Sequence, residues 1–172
     1  MSDHTEQFVD LLARFSSAVG ARDTAALASL FAPDGTYDDY FFGPHTGRSE
    51  IAHMLDRFYD GGEAFVWQFT EPVSNGEVGY ARYAFSYRSR EPESNGEIIV
   101  FEGTSRFRLK DGFIHHYAEV FDRGVAFSQL GYAPERIVKL LSRYAKGFRQ
   151  TETARHHMAY RDVQIARRKE QA

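Results

Sequence analysis

Apolar positions recur along this chain with two different periods, and the change from one to the other divides it. Over residues 3–19, Phe8, Leu11, Leu12, Phe15 and Val19 return every three or four positions, the spacing of an amphipathic helix. Asp23 stands as an N-cap ahead of a short helix over 24–31, and Pro33-Asp34-Gly35 predicts a turn after it. The next residues alternate as a strand does, sending Tyr37, Asp39 and Phe41 to one face and Asp38 and Tyr40 to the other. Gly43-Pro44-His45-Thr46-Gly47 predicts a loop. Ile51, Met54, Leu55 and Phe58 then restore the helical period over 49–59, closed by Gly61-Gly62.

Period two takes over from there. Residues 64–73, 77–90, 97–110 and 113–121 read as long strands joined by Ser74-Asn75-Gly76, Glu93-Ser94-Asn95-Gly96 and Lys110-Asp111-Gly112, each with the Asn-Gly or Asp-Gly chemistry of a hairpin. Helices first and strands afterwards predict an α+β fold, with three N-terminal helices packed on one face of a curved antiparallel sheet. Beyond Arg123 the helical period returns: Ile137, Leu140, Leu141, Tyr144 and Phe148 share one side of a helix that opens at Ala133-Pro134-Glu135. Residues 150–172 form a polar, helical end. The expected organisation is one domain, residues 1–123 forming its body and 124–172 a C-terminal helical extension of it.

Composition narrows the functional classes. The 172 residues suit one domain with a full core. A net charge of −3, with both signs interspersed, offers no field for nucleic acid or a membrane surface. No cysteine is present, which excludes disulfides and thiolate chemistry. The start of the chain lacks the basic-then-apolar pattern of a leader, so a cytoplasmic location is expected. No metal or other cofactor is expected either. Alternation turns His115 and His116 to opposite faces, and His156-His157 lies on a polar helix. Aromatic residues at 15% are the unusual feature, and they suggest a core or cavity walled by rings. Asp39 shares a strand face with two of them, which is where a carboxylate would be held for chemistry.

The order helix, short helix, acid-bearing strand, helix and four long strands resembles the cone-shaped NTF2-like fold. The stretch LFAPDGTYDDYFFGPHTGRSEI is similar to its SnoaL-like branch, which includes polyketide cyclases, ketosteroid isomerases and limonene-epoxide hydrolases. FRLKDGFIHHYAEVFD looks like the last hairpin of those families, and the resemblance spans residues 8–122. Against the isomerases, Asp39 falls where their carboxylate base sits, while the places of their oxyanion donors hold Phe15, Phe31, Leu55 and Ser105. Against the epoxide hydrolases, Tyr37 and Asp39 fall on the first strand, Arg82 falls in the Arg-x-Asp position of a middle strand, and Glu119 takes the place of the aspartate base. Asp39 replaces an asparagine there, and Ala84 replaces the second acid of the Arg-x-Asp pair.

The resemblance implies an acid–base enzyme that needs no cofactor, acting on a small hydrophobic oxygenated molecule: a lyase, isomerase or hydrolase. Asp39 and Glu119 would transfer protons, with Arg82 and Tyr37 orienting them. Phe15, Phe41, Met54, Trp67 and Phe121 would wall the cavity. Tyr83, Ser105 and Tyr117 would donate hydrogen bonds to substrate, and His45 and His115 would relay protons. A formaldehyde lyase of retro-aldol type on lignin-derived aromatic diols and a non-catalytic ligand- or protein-binding domain are the alternatives. A homo-oligomer, dimer or trimer, is the expected assembly by the same resemblance.

Overall fold

The structure, a computed structural model, describes residues 3–170. The helical spacing of the first segment buries Phe8, Leu11, Leu12, Phe15, Ala18 and Val19 along one side of α1 (Asp3–Gly20). That side lies on the sheet against β3 (Gly62–Ser74). Asp23 caps α2 (Thr24–Ser29) by accepting the Ala26 amide at 2.9 Å. α3 (Arg48–Gly61) buries Ile51, Met54 and Leu55 and is tied back to the end of α1, where the Tyr59 hydroxyl donates to the Val19 carbonyl at 2.8 Å.

The remaining strands are β1 (Phe31–Asp39), β2 (Gly43–Thr46), β4 (Val78–Ser89), β5 (Ile98–Lys110) and β6 (Phe113–Phe121). They form one six-stranded sheet in the order β2-β1-β6-β5-β4-β3, matching the expected α+β layout with its three helices. One pairing departs from the expected antiparallel pattern: β1 and β6 run parallel. A parallel pair needs a long crossover, and here α3 and the whole β3–β5 meander supply it.

Two local expectations are corrected. Pro33-Asp34-Gly35 is not a turn between the second helix and the first strand but an irregularity inside that strand, between the Phe31–Ile114 and Thr36–His116 pairs. A proline with no amide to donate and a glycine pressed against the Ile114 carbonyl fit such a bulge. The segment expected as a loop, Gly43–Thr46, is β2, which pairs with β1 through Tyr37 opposite His45. As an edge strand it tolerates Pro44.

α4 (Arg123–Gln129) follows β6 directly, capped by Asp122, which accepts the Gly124 and Val125 amides at 2.8 and 3.1 Å. Gln129 fastens it to β5 by donating to the Val100 carbonyl at 2.7 Å and accepting its amide at 2.9 Å. The first compact unit runs through Tyr132, and a second, from Ala133, holds α5 (Pro134–Arg149) and α6 (Glu152–Glu170). Among the described residues no helix is long and apolar enough to cross a membrane.

Candidate active site

The parallel seam builds the site. Tyr37 pairs with Tyr117 and Asp38 with Ala118, so Asp39 and Glu119 come next to each other on neighbouring strands, about 4.8 Å apart in backbone spacing. Period two decides what faces inward. Tyr37 and Asp39 are buried while Asp38 is half exposed, and Tyr117 and Glu119 are buried while Val120 is 56% exposed. The sheet continues the same face with Ser105 on β5, Tyr83 on β4 and Trp67 on β3, all buried.

Rings pack this face from above. Phe15 of α1 lies 5.3 Å from both Tyr117 and Trp67, centroid to centroid, and 6.2 Å from Tyr37. The Tyr37 and Tyr117 rings are 4.4 Å apart. Toward α4, Phe41 packs on Phe101, Phe121 and Phe127, and Phe101 stacks on Phe121 at 4.4 Å.

Polar contacts run through the aromatic packing as a chain. The Ser105 and Tyr117 hydroxyls are 3.0 Å apart, and Tyr117 donates to Glu119 Oε2 at 2.9 Å. Asp39 Oδ1 accepts the Phe41 and Phe42 amides at 2.8 and 2.7 Å, shaping the turn that leads to β2. Three polar atoms beside this chain are buried with no hydrogen-bond partner: the hydroxyls of Tyr37 and Tyr83 and Nε1 of Trp67. Native interiors satisfy nearly all such groups, so these three leave polar capacity open beside the two acids.

Burial moves both acids. Desolvation is the main cause that pushes Glu119 up to about 8, the charge of Asp39 adds to it, and the nearby Tyr83 and Tyr117 hydroxyls and Tyr40 amide oppose it. Desolvation likewise raises Asp39 to about 6 against the two turn amides. Near neutral pH, Glu119 is mostly protonated and Asp39 mostly ionised. The same burial raises Tyr37, Tyr83 and Tyr117, which therefore stay neutral donors. One acid and one base thus stand side by side among neutral phenols, the arrangement that general acid–base chemistry requires.

The remaining expected residues divide. Phe15, Phe41, Trp67, Tyr83, Ser105, Tyr117 and Phe121 belong to this cluster through the contacts above, and Met54 is buried in α3. His45 stands opposite Tyr37 in the ladder, its Nδ1 3.2 Å from Arg57. Burial, and then the Arg57 charge, lower its pKa, so it is a neutral imidazole. His115, expected as a proton relay, is only half-buried. The β5–β6 register skips it between the Leu109–Ile114 and Arg108–His116 pairs, and Ile114 fills the buried place instead.

Arg82 is the main correction. β4 turns Ala81, Tyr83 and Phe85 inward, so Arg82 points away from the acids and pairs on the outer surface with Glu102 at 3.0 Å and Glu71 at 3.8 Å. Arg82 and Tyr83 are consecutive on a strand and cannot serve the same pocket. The expected Arg82–Glu119 pair is therefore absent, and Tyr83 stands where the middle strand meets Glu119.

One neighbour escaped sequence reasoning. Arg123, at the start of α4, donates from both Nε and a terminal nitrogen to the Tyr40 carbonyl, stacks 3.4 Å over the Tyr40 ring and lowers the pKa of Asp39. A cation directly after the acid-bearing last strand was the available signal.

A SnoaL-like domain matches residues 12–117, which is more than half of the chain and contains every strand of the site through Tyr117. The chain belongs to the SnoaL-like family. Solved structures share the fold of this SnoaL-like protein at low identity. A protein with a ketosteroid isomerase-like fold from Catenulispora acidiphila DSM 44928, in complex with trimethylamine, superposes with a TM-score of 0.66 at 20% identity, covering 73% of this chain and 95% of its own. TsrD from Streptomyces laurentii gives 0.64 at 18%, covering 76% and 98%. An LEH-like epoxide hydrolase of M. tuberculosis gives 0.61 at 17%, covering 80% and 96%. No curated protein matches the sequence. Similarity at these identities establishes the NTF2-like fold.

Proposed function

We propose that this SnoaL-like protein is an acid–base enzyme, a lyase, isomerase or hydrolase, acting on a small hydrophobic oxygenated molecule of aromatic, polyketide or terpenoid type. The observation that carries this reading is the adjacent, buried Asp39–Glu119 pair among neutral phenols. Asp39, ionised, takes a proton from a C–H, an O–H or a water. Glu119, protonated, gives one to the oxygen or carbon that gains electrons, and the Tyr117–Ser105 chain steadies Glu119 as it becomes charged. The ring-lined surroundings favour an apolar substrate body. Among the described residues no group of three His, Cys, Asp or Glu is placed to hold a metal ion. Retro-aldol release of formaldehyde from an aromatic diol fits the same pair: Asp39 removes the hydroxyl proton, the C–C bond breaks to give the aldehyde, and Glu119 protonates the carbon left behind.

A binding domain without turnover is the second reading, favoured by the two amides that Asp39 holds in the β1–β2 turn. Asp39→Asn and Glu119→Gln separate the two. Both keep shape and remove a titrating group. Against a panel of epoxides, aromatic diols, hydroxylated aromatics and enone precursors, an enzyme loses roughly 10² or more in turnover with either variant. A variant that keeps the full rate removes that residue from the chemistry. Ligand affinity that changes modestly, with no turnover in the parent protein, supports the binding domain.

A further inference from the structure

Gly103 occupies an inward place on β5, paired with Tyr83 on one side and Phe121 on the other. Its backbone is not in the left-handed region, so conformation does not call for glycine. Space does. A Cβ at this position would stand 2.6 Å from the Tyr83 hydroxyl oxygen, 2.7 Å from its Cζ and 2.5 Å from the Val120 carbonyl oxygen. Glycine weakens a strand interior, and one kept there marks a close approach by another group. The approaching group is a phenol. Its hydroxyl is buried and faces Glu119 without closing a hydrogen bond. The Tyr117 hydroxyl, by contrast, is already engaged with Glu119 and Ser105.

We propose that Gly103 is a positioning residue of the carboxylate pair: by leaving its inward place on β5 empty, it seats the Tyr83 hydroxyl against Glu119, where that hydroxyl donates to the substrate's oxygen. Contact with substrate rests on the acid–base reading given above. The seat itself is testable without turnover.

The groups facing Glu119 are Asp39, Tyr37 and the Tyr40 amide from β1 and its turn, Tyr83 from β4 and Tyr117 from β6, with Ser105 behind Tyr117. Carboxyl ¹³C NMR of the whole protein follows the titration of Glu119. Tyr83→Phe should raise its midpoint by about 0.5 to 1 in pH, the effect of removing the hydroxyl dipole that favours the ionised carboxylate, with little change in melting temperature. Gly103→Ala should move it in the same direction, and should add almost nothing in the Tyr83→Phe background, because both changes act through one hydroxyl. An unmoved midpoint in Tyr83→Phe overturns the proposal. So does an equal shift from Gly103→Ala with and without that hydroxyl. If Gly103→Ala does not fold, the pair Gly103→Ala, Tyr83→Val decides. A recovered cooperative melt assigns the requirement to the Tyr83 ring, and no recovery assigns it to the Val120 carbonyl and overturns the seat. A substrate panel without turnover leaves these titrations standing, and failed titrations leave any loss of rate in Asp39→Asn standing.

Discussion

Tyr117 and Glu119 lie two positions apart on one strand, and the hydroxyl of the first donates to Oε2 of the second at 2.9 Å. Only extended backbone brings residues i and i+2 onto one face in this way. Tyr117→Phe removes the donor and also strips Ser105 of its buried partner. A loss of about 1–2 kcal/mol in thermal or denaturant unfolding is expected, together with a higher midpoint for Glu119.

Stability should fall as pH rises from about 4.5 to 8. Glu119 is raised to about 8 in the fold from 4.5, so between those values the folded state holds a proton that the unfolded chain has released. Its contribution is complete at low pH and lost as pH climbs through 8. Asp39 adds the same sign between about 4 and 6. For each group the slope approaches about 1.4 kcal/mol per pH unit inside its window. Glu119→Gln should flatten the upper part of a plot of unfolding free energy against pH, and a variant curve parallel to the parent's above pH 6 contradicts the assignment.

Arg82→Ala tests the corrected register. Its side chain is 53% exposed and its partners Glu102 and Glu71 are more exposed still. The expected change is within about 0.5 kcal/mol in stability, with turnover unaltered. A large loss of rate would return Arg82 to the site.

Arg123→Ala removes both the grip on the Tyr40 carbonyl and the cation stacked on its ring. Stability should drop by about 1–2 kcal/mol, and the midpoint of Asp39 should rise because a neighbouring positive charge is gone. Arg123→Lys retains the charge and loses the planar stacking, so it should restore the Asp39 midpoint better than the stability.

Periodicity was sufficient for the helices and the long meander because each has one wet and one dry side. It also put Tyr37 and Asp39 on one face, while the resemblance to the epoxide hydrolases supplied Tyr117 and Glu119, and all four are buried. It failed where the backbone breaks period. Pro33-Asp34-Gly35 carries turn chemistry, yet neighbouring strands hold it as a bulge, and His115 sits in a second irregularity that shifts the faces by one. Arg82 was misplaced because it was set by similarity to the epoxide hydrolases alone, although Arg82 and Tyr83 are consecutive on a strand and Tyr83 is the buried one. The parallel β1–β6 pairing and the reach of Arg123 to Tyr40 join residues far apart in the chain, and no local pattern encodes such a partner.

That long-range seam has a consequence for how the protein is made and lost. Arg123 and Tyr40 are 83 positions apart, and β1 cannot dock until β6, the last strand synthesised, is in place. Contacts of such separation form late and slowly. β3 to β6 can zip as successive hairpins, while β1 and β2 join afterwards at the sheet's border. Opening that border would part Asp39 from Glu119 while the hairpins persist. Amide exchange in β1 should then run faster than in β4 and β5, and mild denaturant should abolish the proposed acid–base activity before the main unfolding transition begins.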